Sequence, residues 1–223
     1  MTRPLLVLDL DGTLVDTADD LIATLNRILA DEGIRTMTRA DAGALLGAGA
    51  RAMIARGFAL AETPLAEDRL DTLFARFIPL YSEAIAVHSR PFPCAVAALD
   101  RFAAAGWGLA VCTNKLEGLS VRLLDELGLA SRFAAICGGD TFPTRKPDAG
   151  HLLGTIDRAG GARETSVMVG DSGTDVNAAR NAGVPVVGVT FGYTDRPVES
   201  YRPDAVVDRF DDLFEAVMGL RIA

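Results

Sequence analysis

Six short apolar runs, each closed by a polar or glycine-containing cluster, restrict what this chain can fold into more than any other feature. They lie at residues 4–8, 108–112, 133–137, 166–169, 185–189 and, more weakly, 204–207. Runs this short and continuously apolar read as strands covered on both faces. Helical patterns fill the intervals at about 94–105, 117–127, 148–160, 174–182 and 210–220. Such alternation predicts right-handed βαβ units, hence an α/β fold with a doubly wound, mostly parallel sheet. Ligands of these sheets sit beyond the carboxyl ends of the strands, where strand order reverses. Asp9/Asp11, Thr113-Asn114-Lys115, Gly138-Gly139-Asp140, Lys146-Pro147 and Asp171-Ser172-Gly173-Thr174-Asp175 are therefore expected to converge on one edge.

Asp9 and Asp11 carry the sharpest chemical signal. Residues two apart on a strand share a face, so both acids would leave the same side of the first strand before Gly12 turns the chain away. Two carboxylates at the rim of an apolar core are costly unless a cation or a reaction occupies them. A second signal is compositional. Of 22 basic residues, 20 are Arg, and the two lysines, Lys115 and Lys146, both fall in the polar clusters. An ammonium is a compact point charge that suits a tight phosphate pocket better than a planar guanidinium.

The chain of 223 residues is 49% hydrophobic, enough for one large domain or a core with an insertion. A formal charge of −8 without any basic run argues against nucleic acid or an anionic membrane as partner. No run is long enough to span a membrane, and the N-terminus reads as a strand rather than a signal peptide. Cys94, Cys112 and Cys137 are an odd number, two of them in expected core strands; free thiols in a reducing cytoplasm are the expectation. Oligomeric state stays open between monomer and homodimer.

Residues 17–88 are too many for an ordinary crossover. Their patterns predict helices at 18–32, 39–46, 51–60 and 67–86, with Leu21, Leu25, Ile28 and Leu29 on one face of the first. The expected organisation is a core of residues 1–16 and 89–223 and a helical cap of 17–88, placed above the site, where it would exclude water and select substrate.

Asp9-x-Asp11-Gly12-Thr13, Thr113-Asn114, Lys146-Pro147 and Gly170-Asp171-Ser172-Gly173-Thr174-Asp175 resemble, in order, the four motifs of the haloacid dehalogenase superfamily. The resemblance runs from about residue 5 to 188, and the inserted helices are similar to that family's small cap. The wider wording looks most like the phosphoglycolate phosphatases. The resemblance implies a Rossmann-like sheet of order 3-2-1-4-5-6 and Mg²⁺-dependent phosphomonoester hydrolysis. In it, Asp9 is the nucleophile that forms an aspartyl-phosphate, and Asp11 is the general acid and base. Mg²⁺ is implied on the Asp9 carboxylate, the Asp11 carbonyl and the Asp171 carboxylate, with Asp175 as metal support. Thr113 and Asn114 would hold phosphate oxygens, and Lys146 would neutralise charge and keep Asp9 ionised.

Plainer readings stand beside these. Asp175 also fits a helix capping box begun at Ser172, and Asn114 also fits a helix cap with Glu117 three residues on. Gly170-Asp171-Ser172-Gly173 imitates a serine-hydrolase loop, but His88 and His151 are the only histidines, and His151 lies in a helical pattern. Gly47-x-Gly49-x-x-Ala52 imitates a dinucleotide fingerprint yet follows no strand. For a phosphorylated small acid such as 2-phosphoglycolate, Arg51 is the first candidate for the carboxylate end and Lys115 the second. Sugar-phosphate phosphatase or mutase and pyrophosphatase remain alternatives, as does a phosphate-sensing or partner-binding module on a dead enzyme fold.

Overall fold

The first apolar run becomes β1 (Leu5–Leu8), whose side chains are all at most 1% exposed. Each aliphatic side chain buried in this way contributes about 1.5–3 kcal/mol. The structure is a computed structural model and describes residues 3–220. β2 (Val15–Asp16) follows, and then helices α1 (Ala18–Asp31), α2 (Ala42–Leu45), α3 (Ala50–Leu60) and α4 (Glu67–Glu83). β3 (Arg90–Pro91) pairs antiparallel with β2, so the strands entering and leaving the inserted helices lie side by side. Beyond it come α5 (Ala95–Ala104), β4 (Gly108–Cys112), α6 (Glu117–Glu126), β5 (Ala135–Cys137), α7 (Ala149–Arg158) and β6 (Ser166–Gly170). The chain continues through α8 (Gly173–Ala182), β7 (Val186–Val189), β8 (Ala205–Val207) and α9 (Phe210–Met218).

Six parallel strands form one sheet in the order β5-β4-β1-β6-β7-β8. Counted along the chain, that is the expected 3-2-1-4-5-6. β1 lies at the centre, beside the point where strand order reverses, and its carboxyl end carries Asp9.

The expected helix at 39–46 is split in two. Asp41 turns back to accept the Thr38 amide at 2.7 Å, which tightens residues 39–41 into a 3₁₀ turn before α2 begins. The run at 133–137 is likewise shortened to β5 by a 3₁₀ turn at Ala130–Arg132. Cys94 is an exposed free thiol, while Cys112 and Cys137 are free and buried. Among the described residues, no helix is long and apolar enough to cross a membrane.

In α1, Leu21, Leu25, Ile28 and Leu29 are buried and join one core cluster with Leu70, Leu73 and Phe77 of α4. The start of α1 is held in two unusual ways. Thr17 and Ala18 donate their amides to the Tyr193 hydroxyl at 2.8 and 3.1 Å, which satisfies donors that a helix N-terminus otherwise leaves open. One turn on, Asp20 is 3% exposed and accepts from the His88 amide (3.0 Å), the Ser89 amide (2.8 Å) and the Ser89 hydroxyl (2.6 Å). That carboxylate staples the start of α1 to the segment that leaves the inserted helices. Asp20→Ala strands the buried Ser89 amide and the part-buried His88 amide, and the expected loss is about 2–4 kcal/mol, seen as a fall in Tm of about 4–16 °C. A thermal melt within about 2 °C of the parent would show that the staple carries no stability.

Candidate active site

Asp9 continues β1 by donating its amide to the Val169 carbonyl at 2.9 Å, so the sheet fixes where its carboxylate leaves the strand. Next to it β6 ends and delivers Asp171, and the first turn of α8 supplies Asp175. Carboxylate oxygens of Asp9, Asp171 and Asp175 all lie within 4.8 Å of one another, and all three residues are buried. Gly12 makes the close approach possible. Its φ is +86°, and a Cβ there would lie 2.6 Å from Asp171 Oδ2. Asp171 is further oriented by the Thr13 hydroxyl at 2.9 Å and the Tyr193 amide at 2.7 Å.

Lys146 is the ammonium of this cluster. Its Nζ is 2.6 Å from Asp175 Oδ1 and 2.9 Å from Asp9 Oδ1, and the residue is only 3% exposed. Burial disfavours that charge, but Asp175 and Asp9 outweigh burial and hold it well above the ordinary lysine value. Asp9 behaves in the opposite way. Burial pushes its carboxyl up to about 6 even though Lys146 pulls it down. Burial, then Asp175 and Asp9, push Asp171 up to about 8. Two of these carboxylates, Asp9 and Asp175, pair with the one ammonium while Asp171 lies beside them, and the surplus of buried negative charge is what a divalent cation would balance. An all-oxygen donor set suits a hard ion such as Mg²⁺. Asp9 Oδ1 is buried with the Lys146 ammonium at 2.9 Å as its neighbour but without a well-aligned hydrogen bond.

The capping reading of Asp175 is seen directly, and the same side chain also faces the acidic cluster. Its Oδ2 accepts from the Ser172 amide (3.1 Å) and hydroxyl (2.7 Å) as a capping box, while Oδ1 faces Lys146 in the acidic cluster. His151 is fully buried, and its Nδ1 accepts the Lys146 amide at 3.1 Å. Burial and the Lys146 charge push its imidazole down to about 4, so it is neutral near pH 7.

Thr113, Asn114 and Lys115 leave the end of β4 on the same edge. The expectation that Asn114 caps α6 with Glu117 is corrected by the structure. Asp140, across the gap after β5, accepts the Glu117 amide at 2.7 Å, because that loop lies against the start of α6. Asn114 instead donates Nδ2 to the Lys146 carbonyl at 3.1 Å, and its Oδ1 is buried without a partner. Lys115 places Nζ 2.9 and 3.2 Å from the two oxygens of Asp11 and 2.9 Å from the Tyr81 hydroxyl. Both lysines of this arginine-rich chain are therefore buried ion-pair partners of the expected catalytic aspartates.

A cavity of about 240 Å³ lies between this edge and the inserted helices, with Asp9, Asp11, Thr113, Asn114 and Lys115 along one side. Leu21, Met53, Phe74, Phe77 and Ile78 form much of the opposite wall. Arg51 also lines it, but its guanidinium already bonds Glu67 at 2.5 Å and Asp71 at 2.8 Å, and its side chain is 38% exposed. Arg145 lines the cavity as an exposed residue.

Two tyrosines went unnoticed in the sequence. Tyr81 lies four residues after Phe77 on α4 and stacks with it at 5.7 Å, so its spacing reads as core. Tyr193 follows a strand end, which was the available signal, but its hydroxyl partners are 175 and 176 residues away.

Comparison with known proteins agrees with this geometry. The sequence is 54% identical to a phosphoglycolate phosphatase of Agrobacterium fabrum over 96% of this chain and 92% of that protein. It is 47% identical to one of Mesorhizobium japonicum, over 96% and 94%. A crystal structure described as a predicted phosphoglycolate phosphatase from Haemophilus somnus superposes with a TM-score of 0.88 at 30% identity, over 96% of this chain and 98% of that one. The sequence pattern of the haloacid dehalogenase-like hydrolases matches residues 6–189, from within β1 to the end of β7. With sheet order, acidic cluster and motif order in agreement, the chain belongs to the haloacid dehalogenase-like hydrolase family.

Proposed function

We propose that this chain hydrolyses 2-phosphoglycolate to glycolate and phosphate in a Mg²⁺-dependent reaction that passes through an aspartyl-phosphate on Asp9. The observation that carries the reading is the buried meeting of Asp9, Asp171 and Asp175 at the end of the central strand, with Lys146 paired to Asp9 and Asp175. Asp9 attacks phosphorus while the bond to the ester oxygen breaks, and Asp11 gives its proton to the departing alkoxide. A water molecule, deprotonated by Asp11, then attacks the same phosphorus, releasing phosphate and restoring Asp9. Thr113 and Asn114 hold phosphoryl oxygens, and Lys146 neutralises their charge while holding Asp9 in line. Asp9 and Asp171 would hold Mg²⁺, with Asp175 in support and the Asp11 carbonyl as a further donor. When bound, the ion stabilises charge on the transferring phosphoryl group.

The names of the relatives support phosphoglycolate as substrate, and so does the cavity wall. Leu21, Met53, Phe74 and Ile78 offer no side-chain hydrogen bond to a polyhydroxylated chain, and sites that select sugars need such partners. Free thiols, two of them buried, suit a reducing cytoplasm.

A substrate panel with purified protein and Mg²⁺ tests this reading. Phosphoglycolate is expected to give the highest kcat/KM among sugar phosphates, pyrophosphate and p-nitrophenyl phosphate. Chelation should remove turnover and added Mg²⁺ should restore it. A sugar phosphate or pyrophosphate preferred over phosphoglycolate would overturn the substrate, and turnover indifferent to chelation would overturn the metal.

A further inference from the structure

We propose that the Lys115 ammonium and the Tyr81 hydroxyl together receive the carboxylate end of the substrate, so that they, rather than Arg51, select a two-carbon phosphoacid over an uncharged phosphoester. The proposal rests on the phosphoglycolate reading above and names the residues that would enforce it.

The distances follow the substrate's own connectivity. Asp11 serves the ester oxygen of the leaving group, and one methylene separates that oxygen from the carboxylate of phosphoglycolate. Lys115 stands one hydrogen bond beyond Asp11, at 2.9 Å. A substrate with phosphorus at Asp9 and its ester oxygen at Asp11 therefore carries its carboxylate toward Lys115. The ammonium already shows what it binds, since both Asp11 oxygens lie within 3.2 Å of it.

Tyr81 supplies the second half. Its oxygen accepts from Lys115 at 2.9 Å, and no acceptor for its own O–H is found among the described residues. The phenol is fully buried, lines the cavity, and has its ring beneath the Lys115 ammonium at 4.4 Å. Stacking on Phe77 holds that ring in place. One donor comes from the core loop after β4 and the other from α4 of the inserted helices, so a bound carboxylate would tie the two parts together. The Lys115 side chain is only 5% exposed, and a desolvated cation binds an anion far more strongly than a solvated one. Arg51 lacks that burial, its side chain being 38% exposed where it meets Glu67 and Asp71.

The test is the ratio of kcat/KM for phosphoglycolate to kcat/KM for ethyl phosphate, which carries a methyl group in place of the carboxylate. A ratio measured within one preparation cancels any fraction of misfolded protein. Lys115→Met is expected to lower it about 10- to 100-fold and Tyr81→Phe about 3- to 10-fold, since each removes a donor to a buried anion. Lys115→Arg is expected to recover part of the loss, and Arg51→Gln to shift the ratio by less than about twofold. A ratio that survives both Lys115→Met and Tyr81→Phe, or that collapses only in Arg51→Gln, overturns the assignment alone. A parent protein with no preference for phosphoglycolate overturns the substrate reading and this proposal together.

Discussion

Asp9→Asn is expected to lower kcat on phosphoglycolate by about four orders of magnitude or more, while the protein stays folded. The amide keeps the shape of the carboxylate but offers no anionic oxygen to attack phosphorus, so no covalent intermediate forms. The effect on stability should run the other way from the effect on rate. Without a cation Asp9 is one of three clustered buried carboxylates, two of which pair with Lys146, and burial has already pushed its carboxyl up to about 6. A neutral amide relieves that crowding, so Tm without Mg²⁺ should match or exceed the parent's. Single-turnover kinetics and a thermal melt on the same preparation check both halves. Turnover within tenfold of the parent would remove Asp9 from its role as nucleophile.

Lys146→Met should behave as the mirror image. It takes away the common counter-charge of Asp9 and Asp175, at 2.9 and 2.6 Å, in a place where both residues are buried. Removing one partner of a buried ion pair costs about 3–5 kcal/mol, because the remaining charge is left desolvated. Activity should fall as well, by about 10²- to 10³-fold, for loss of an electrostatic donor to the phosphoryl group. Lys146→Arg should not repair it, since a planar fork cannot replace a compact ammonium in a site only 3% exposed. Denaturant midpoints read the first effect and kcat the second. The double variant Asp9→Asn with Lys146→Met should be less damaged in stability than the two single changes imply, because the two residues share one interaction. An unchanged midpoint for Lys146→Met would mean that the pair contributes nothing to the fold.

The strands were legible because burial on both faces leaves a mark that needs no tertiary information; their order was implied by the family resemblance alone. Leu5–Leu8 has no polar position at all. The acids of the site were legible because each closes such a strand: Asp9 after β1 and Asp171 after β6. Lys146 stood out against an arginine background and through the Lys146-Pro147 motif. What the sequence hid were partnerships set by the third dimension. Asn114 sits at a good spacing to cap α6, but Asp140 approaches from another loop and takes that amide. Arg51 was the natural choice for a substrate carboxylate until α4 proved to present Glu67 and Asp71 to it. Asp20 looked like one more acid in the first turn of a helix, and its value lies in amides 68 and 69 residues away.

Tyr193 joins two functions that are usually assigned to separate places. Its amide orients the Asp171 carboxylate, and its phenol holds the first turn of α1, where the inserted helices begin. A tilt of those helices that carries Thr17 with it pulls on the same residue that aims Asp171. The start of the inserted helices and the Asp171 carboxylate therefore share one mechanical link, and by reciprocity whatever stiffens one end steadies the other.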